Sequence, residues 1–139
     1  MKITDEKIEQ ILAPHYSEDE LPVYYCHGNM QPTFKDSLLL GVFSSFKTKF
    51  FILGFTSQSL VMVKLDLMSN PKETTVIPYR EFRDVQISNL FLGLGKKLHI
   101  YLYDGKVIKL NLSKRAGGIK KQQENIENIC TMFENKWGK

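Results

Sequence analysis

The residues of this chain best suited to ligand chemistry are Phe46, Lys47, Thr48, Lys49 and Phe50. Two ammonium groups stand between two aromatic rings, in a loop that joins apolar runs. Ammonium groups attract phosphate, and an exposed ring can enter a lipid interface. Near an anionic surface each lysine contributes about 1 kcal/mol, too little to anchor a protein alone. Phe46, Lys47 and Lys49 are accordingly the candidate ligand-binding residues. The competing reading makes Phe46 or Phe50 part of a core and both lysines ordinary loop residues.

Metal and catalytic chemistry find less support. Cys26 and His27 are adjacent, but no second ligand pair accompanies them, and Cys130 lies in another element. His15 and His27 fall in a stretch that reads as irregular. His99 is expected to point to solvent from a strand, beside Lys109. No GxSxG, HExxH or P-loop occurs. Leu92-Gly93-Leu94-Gly95-Lys96 lacks the final glycine before a lysine–hydroxyl pair and precedes a strand, which makes it a turn. Asp66, Glu73, Glu81, Asp84 and Asp104 sit mainly at turns and strand ends, where acids serve local roles. The expectation is a non-enzymatic protein with no metal and no cofactor. An enzyme of unknown type is the residual alternative.

Charge and composition set further bounds. With 19 Lys and Arg against 15 Asp and Glu, the formal charge is +4, spread along the chain without a long run. That offers no basic stripe for nucleic acid, though it allows mild attraction to acidic partners or anionic lipid. At 139 residues, 42% hydrophobic, the chain can bury one core of its own. Its two cysteines make no disulfide framework. The opening MKITDEKIEQIL carries acids and no apolar export segment, and the longest apolar stretches, such as 50–55, are too short to cross a bilayer. The expected location is the cytoplasm, with peripheral contact at the membrane as the alternative.

The elements that would position these residues are mostly short strands. Residues 4–13 read as a helix capped by Thr4 or Asp5, with Ile8, Ile11 and Leu12 on one face and Pro14 as its stop. Residues 14–35 look irregular, with Leu21 to Tyr25 as a short edge segment at most. From Ser37 onward come seven β-type runs: 38–43, 50–55, 60–65, 74–77, 83–87, 98–103 and 107–112. Asp104-Gly105 signals a hairpin. A two-residue turn would put the aliphatics of the two strands on opposite faces. A three-residue loop with Gly105 left-handed sets Ile100 opposite Ile108 and Leu98 opposite Leu110, so the hydrophobic pattern favours it. Residues 118–137 form an amphipathic helix with Ile126, Ile129, Cys130, Phe133 and Trp137 on its apolar stripe, and with Lys120, Lys121, Gln122 and Glu124 on its polar side. The fold class is mainly β, α+β by count. The division is an N-terminal helix and arm over 1–36 and a main domain over 37–139.

Four segments carry a family resemblance. They are Phe51-Ile52-Leu53-Gly54-Phe55-Thr56 with Leu60-Val61-Met62-Val63, Ile77-Pro78-Tyr79 with Phe82 and Val85, Tyr103-Asp104-Gly105-Lys106 with Ile108 and Leu110, and the helix from Ile119 to Trp137. In their order and spacing they resemble the bacterial PH-like domain family, in particular its short YokE-like members. The resemblance covers about residues 37 to 137. It implies a seven-stranded, strongly bent antiparallel barrel capped by the C-terminal helix, an unsettled function and no catalytic residues. This chain has Ser59 where many members carry a basic residue, so no charged contact carries over there. The Phe46–Phe50 segment in turn resembles the headgroup-binding loop of eukaryotic PH domains.

Two functions compete on these grounds. The leading one is a binding module that holds a protein partner, or a second copy, by a strand edge, the barrel mouth or the N-terminal helix. The alternative is weak recognition of anionic lipid or a phosphorylated ligand through Lys47 and Lys49.

Overall fold

Thr4 stands in extended conformation, and its Oγ1 accepts a hydrogen bond from the Lys7 N–H at 3.2 Å. It thereby caps α1 (Asp5–Leu12), whose first-turn acids suit the positive end of the helix dipole. Ile8 and Leu12, one turn apart, are fully buried. The α-helix ends before Pro14 as expected, but not because Ala13 leaves helical geometry. Ala13 keeps helical dihedrals, and a 3-10 turn, Ala13–His15, follows. Proline tolerates the first turn of a helix because its missing N–H has no partner there in any case. The computed structural model describes residues 3–30 and 48–137.

Among the described residues seven strands follow: β1 (Tyr24–Met30), β2 (Lys49–Phe55), β3 (Ser59–Leu65), β4 (Pro71–Pro78), β5 (Phe82–Asn89), β6 (Gly95–Leu102) and β7 (Val107–Ser113). They form one antiparallel sheet in the order β4-β3-β2-β1-β7-β6-β5. The expected strand at 38–43 lies outside the described residues. The first strand is instead Tyr24–Met30, in a stretch expected to be irregular, and it sits in the middle of the sheet rather than at an edge. Its Gly28 is there for close approach. A Cβ at that position would come within 2.8 Å of Leu53 and 2.9 Å of Leu112, both of which are fully buried.

The β6–β7 hairpin takes the register that the hydrophobic pattern favours. Ile100 faces Ile108, Leu98 faces Leu110, and His99 faces Lys109 on the other side. Gly105 has φ +94, the left-handed conformation that such a loop requires.

The C-terminal helix, α2 (Gln122–Trp137), starts four residues later than expected. The N–H groups of Lys120 and Lys121, just ahead of it, donate to the Asp5 carboxylate at 2.7 and 3.1 Å. Tyr25 Oη donates to the same group at 2.8 Å. Burial alone would raise the Asp5 pKa, but these three hydrogen bonds together hold it below the ordinary value. One carboxylate thus ties α1 to β1 and to the start of α2.

Two apolar layers result. Residues from both ends of the strand order, Met62 and Ile77 on one side and Val85 and Ile100 on the other, share a single core with Ile126, Ile129 and Phe133 of α2. The sheet is therefore strongly bent around its inner face, and α2 fills one end. Phe55, Tyr79, Phe82, Phe133 and Trp137 interlock there, with ring centroids 5.3–6.3 Å apart. On the outer face, Ile8 and Leu12 of α1 pack against Tyr25, Ile52, Val61 and Val63. The N-terminal helix spends its apolar face on its own sheet.

The bend has its seam between β1 and β7, which pair through Asn29 and Asn111 alone. Continued in the same antiparallel register, His27 would face Ser113. The Gln122 side-chain amide occupies that place instead. Its Oε1 accepts from the His27 N–H at 2.9 Å, and its Nε2 donates to the carbonyls of His27 and Ser113 at 2.8 and 3.0 Å. Asn125 Nδ2 donates to the Tyr25 carbonyl at 2.9 Å. Both amides are buried, although Gln122 was expected on the solvent side of the helix. A buried backbone group left unpaired costs about 1–3 kcal/mol. Gln122→Leu, which is similar in volume and cannot bond, is expected to lower the unfolding free energy by about 3 kcal/mol in urea titrations. Gln123→Leu, at an exposed neighbouring position, is expected to stay within about 0.5 kcal/mol.

Candidate functional site

Among the described residues, the bent sheet leaves its inner face open beside the aromatic plug, where Phe82 of the plug pairs with Leu102. A cleft of about 340 Å³ lies there, between β4 and the β6–β7 hairpin. Its floor is apolar: Phe51, Met62, Ile77, Leu102 and Ile108, all buried, with Met30 half-buried. Its rim carries both signs of charge, with Lys49, Lys64 and Lys106 set among Glu73, Glu81 and Asp104. Lys106 pairs with Asp104 at 3.7 Å. A second hollow of about 590 Å³ between β5 and the end of α2 is more open, and neither lysine nor arginine lines it.

Of the three expected ligand-binding residues, Lys49 lies in this cleft, and Phe46 and Lys47 lie outside the described residues. Lys49 opens β2 and pairs with Met30, where β1 ends. Burial lowers its pKa from the ordinary lysine value, the Lys64 ammonium lowers it further, and Glu73 works in the opposite direction. Strand alternation separates it from its aromatic neighbour. Phe50 points to the outer face and stacks on His27 at a centroid distance of 5.8 Å. Lys49 and Phe50 therefore do not form one patch.

Lys64 was not singled out by sequence reasoning, because it closes an otherwise apolar run. The available signal was its phase: it falls in the inward row of β3 after Leu60 and Met62, and it lies opposite Phe51. A cation in an apolar row marks the place where the core gives way to an opening.

The remaining chemistry-bearing groups are scattered. Cys26 is fully buried on the inner face, and burial together with Cys130 pushes its thiol far up. The neighbouring His27 faces the other side of the sheet, and its burial lowers its pKa. Adjacent in sequence, the two point away from each other. His15 Nε2 lies 3.5 Å from Thr74 Oγ1. Asp66 accepts the N–H groups of Met68 and Asn70, both at 2.9 Å, and Asp84 accepts that of Val85 at 2.9 Å, which are local turn and strand-end roles. Glu73, Glu81 and Asp104, far apart in sequence, are the acids brought together, at the cleft rim.

Comparison with known proteins bears on the fold. A family profile described as "Bacterial PH domain" matches residues 17–135, which includes β1. Among solved structures, the hSac2 domain from the human phosphoinositide phosphatase Sac2 aligns with a TM-score of 0.50 at 8% identity, over 96% of this chain and 83% of that one. A DUF1696 family protein with a pleckstrin-homology domain from Shewanella loihica PV-4 aligns with a TM-score of 0.45 at 13% identity, over 77% of this chain and 95% of that one. No curated protein sequence matches. Identities this low speak to fold alone.

Because Lys64 is a like charge in the same cleft as Lys49, removing it should ease protonation of Lys49. Lys64→Gln is expected to raise the Lys49 titration toward the ordinary lysine value, and Glu73→Gln to lower it further. Side-chain NMR titration reads both directions. A Lys49 that moves with neither variant would show that the three groups do not share one site.

Proposed function

The chain belongs to the bacterial PH domain family, and on that footing we propose that it is a non-enzymatic binding module that holds an extended segment of a partner protein in the open end of its sheet. The observation that carries this reading is the cleft, with its apolar floor and a rim of alternating charge. Buried apolar side chains supply affinity, and paired rim charges supply register and selectivity. Strand β4 forms one wall. Among the described residues it pairs with β3 only, and Lys72 through Val76 are exposed along it. An incoming strand can add to such an edge while its alternate side chains reach the floor. A second copy of the chain is one form that the partner can take.

A specific observation favours a second reading. Lys49 and Lys64 line the same cleft, a setting that attracts an anionic headgroup or phosphorylated ligand. The acids on the same rim count against it. A phosphate site built on lysines gains little when Glu73, Glu81 and Asp104 line the same opening. The α1 version of partner binding loses its basis, since Ile8 and Leu12 are already buried. Two buried thiols fit a cytoplasmic location. Among the described residues, no helix is long and apolar enough to cross a membrane.

The test is affinity purification from the native cell with three baits: the wild-type chain, Thr75→Arg on the exposed wall of the cleft, and Gln86→Arg on β5. The expected result is a partner retained by the wild type and Gln86→Arg and lost with Thr75→Arg. An identical partner set for all three would remove the cleft from the account. Binding of inositol hexakisphosphate that is lost in Lys64→Glu would favour the second reading.

A further inference from the structure

The turn between β5 and β6 presents an apolar tip that the cleft does not use. Phe91, Leu92 and Leu94 are 80%, 78% and 62% exposed. A single exposed leucine is ordinary, whereas three large apolar side chains within four residues form a patch. The tip is ordered by its own hydrogen bonds. Leu90 N–H donates to the Gly95 carbonyl and Gly93 N–H to that of Leu90, both at 3.0 Å. Leu92 is held at φ +58, in the left-handed region that asparagine or glycine enters more readily. Turn chemistry therefore does not account for a leucine at that point.

Cations surround the base of the tip. Lys96 and Lys97 follow it into β6. The N–H of Lys114 donates to the Leu94 carbonyl at 2.8 Å, and Arg115 comes next in the chain. Glu127 of α2 is the carboxylate that lines the small hollow beside Lys96 and Lys114. Another exposed apolar turn, Leu67 and Met68 between β3 and β4, has a different setting: Asp66 beside it is paired with Lys72 at 3.6 Å, and Glu73 follows. Apolar exposure and excess positive charge coincide at the β5–β6 tip.

We propose that this tip docks the protein on an anionic bilayer. Phe91, Leu92 and Leu94 enter the boundary between headgroups and acyl chains, and Lys96, Lys97, Lys114 and Arg115 meet the lipid phosphates. Neither the small apolar tip nor the cations hold a protein alone, so the contact is reversible and sensitive to salt. The β5–β6 ladder runs from Phe82 and Leu102, beside the cleft, to Asn89 and Lys96 at the tip. Seven residue steps span roughly 23 Å. A protein docked by the tip therefore keeps its cleft away from the membrane and open to a partner. The proposal does not depend on what the cleft holds.

Vesicle flotation tests it. At low salt the wild-type chain is expected to float with phosphatidylcholine vesicles that contain phosphatidylserine, and not with phosphatidylcholine alone. The double variant Phe91→Ser, Leu92→Ser is expected to lower the bound fraction about tenfold. Lys96→Gln with Lys97→Gln is expected to flatten the salt dependence. Leu67→Ser and Thr75→Arg are expected to float like the wild type, which separates this proposal from the cleft reading. These positions are exposed except Lys96, which is half-buried and donates to Asn89 Oδ1 at 2.7 Å, and a thermal melt confirms folding of each variant. In a second readout, Leu92→Cys carries an environment-sensitive dye, since Cys26 and Cys130 are buried. Its emission is expected to shift to the blue on anionic vesicles. No flotation of the wild type at low salt, full flotation of the Phe91 and Leu92 variant, loss of flotation with Leu67→Ser, or a dye that does not shift would each overturn the proposal.

Discussion

A single buried amide decides how this sheet is built. Where β1 and β7 diverge, the backbone of His27 and Ser113 would be left without partners, in a region from which the Gln122 side chain is fully excluded from water. The Gln122 amide supplies one acceptor and two donor contacts at that point. A side chain thus stands in for a ladder step and allows two halves of a continuous sheet to splay without orphaned polar groups. The same residue fixes where α2 begins, so the bend of the sheet and the seating of the helix follow from one set of contacts.

The rest of the molecule is arranged around that bend. It brings Ile77 of β4 and Leu102 of β6 to opposite walls of one cleft, although β4 and β6 lie far apart in the strand order. It also gives the sheet an outer face, which α1 covers with Ile8 and Leu12 while Asp5 reaches across to the approach to α2. Both helices are consequently committed to the fold. Among the described residues, the surfaces left for binding are the open cleft, the strand edges and the turns, and their charge distinguishes them: mixed at the cleft rim, positive around the β5–β6 tip.

Local pattern made much of this legible in the sequence. The Asp104-Gly105 turn and the alternation of Leu98, Ile100, Ile108 and Leu110 carry enough information to set a register, because a slip of one residue would put the aliphatics of one strand on the opposite face from those of the other. The stripe from Ile126 to Phe133 marks α2 for the same reason. What stayed hidden depends on contacts distant in sequence. Gly28 and Asn29 lie in a stretch that reads as irregular, but Gly28 sits in mid-strand because Leu53 and Leu112 leave no room for a Cβ, and Asn29 meets the Asn111 side chain at 3.3 Å. Gln122 reads as a solvated helix residue until β1 and β7 are placed beside it. That Lys49 and Lys64 line one cleft follows from strand pairing, whereas proximity in sequence suggested Lys47 as the companion of Lys49.

Amide exchange at His27 tests the role of Gln122 most directly. In the wild-type protein this N–H should exchange as slowly as the hydrogen-bonded amides between β1 and β2, since it is bonded and buried although no strand faces it. In Gln122→Leu it should exchange at least about tenfold faster, while the β2–β3 amides keep their protection. Rapid exchange of His27 in the wild type, or protection that survives the substitution, would contradict the account of how the sheet is held together at its seam.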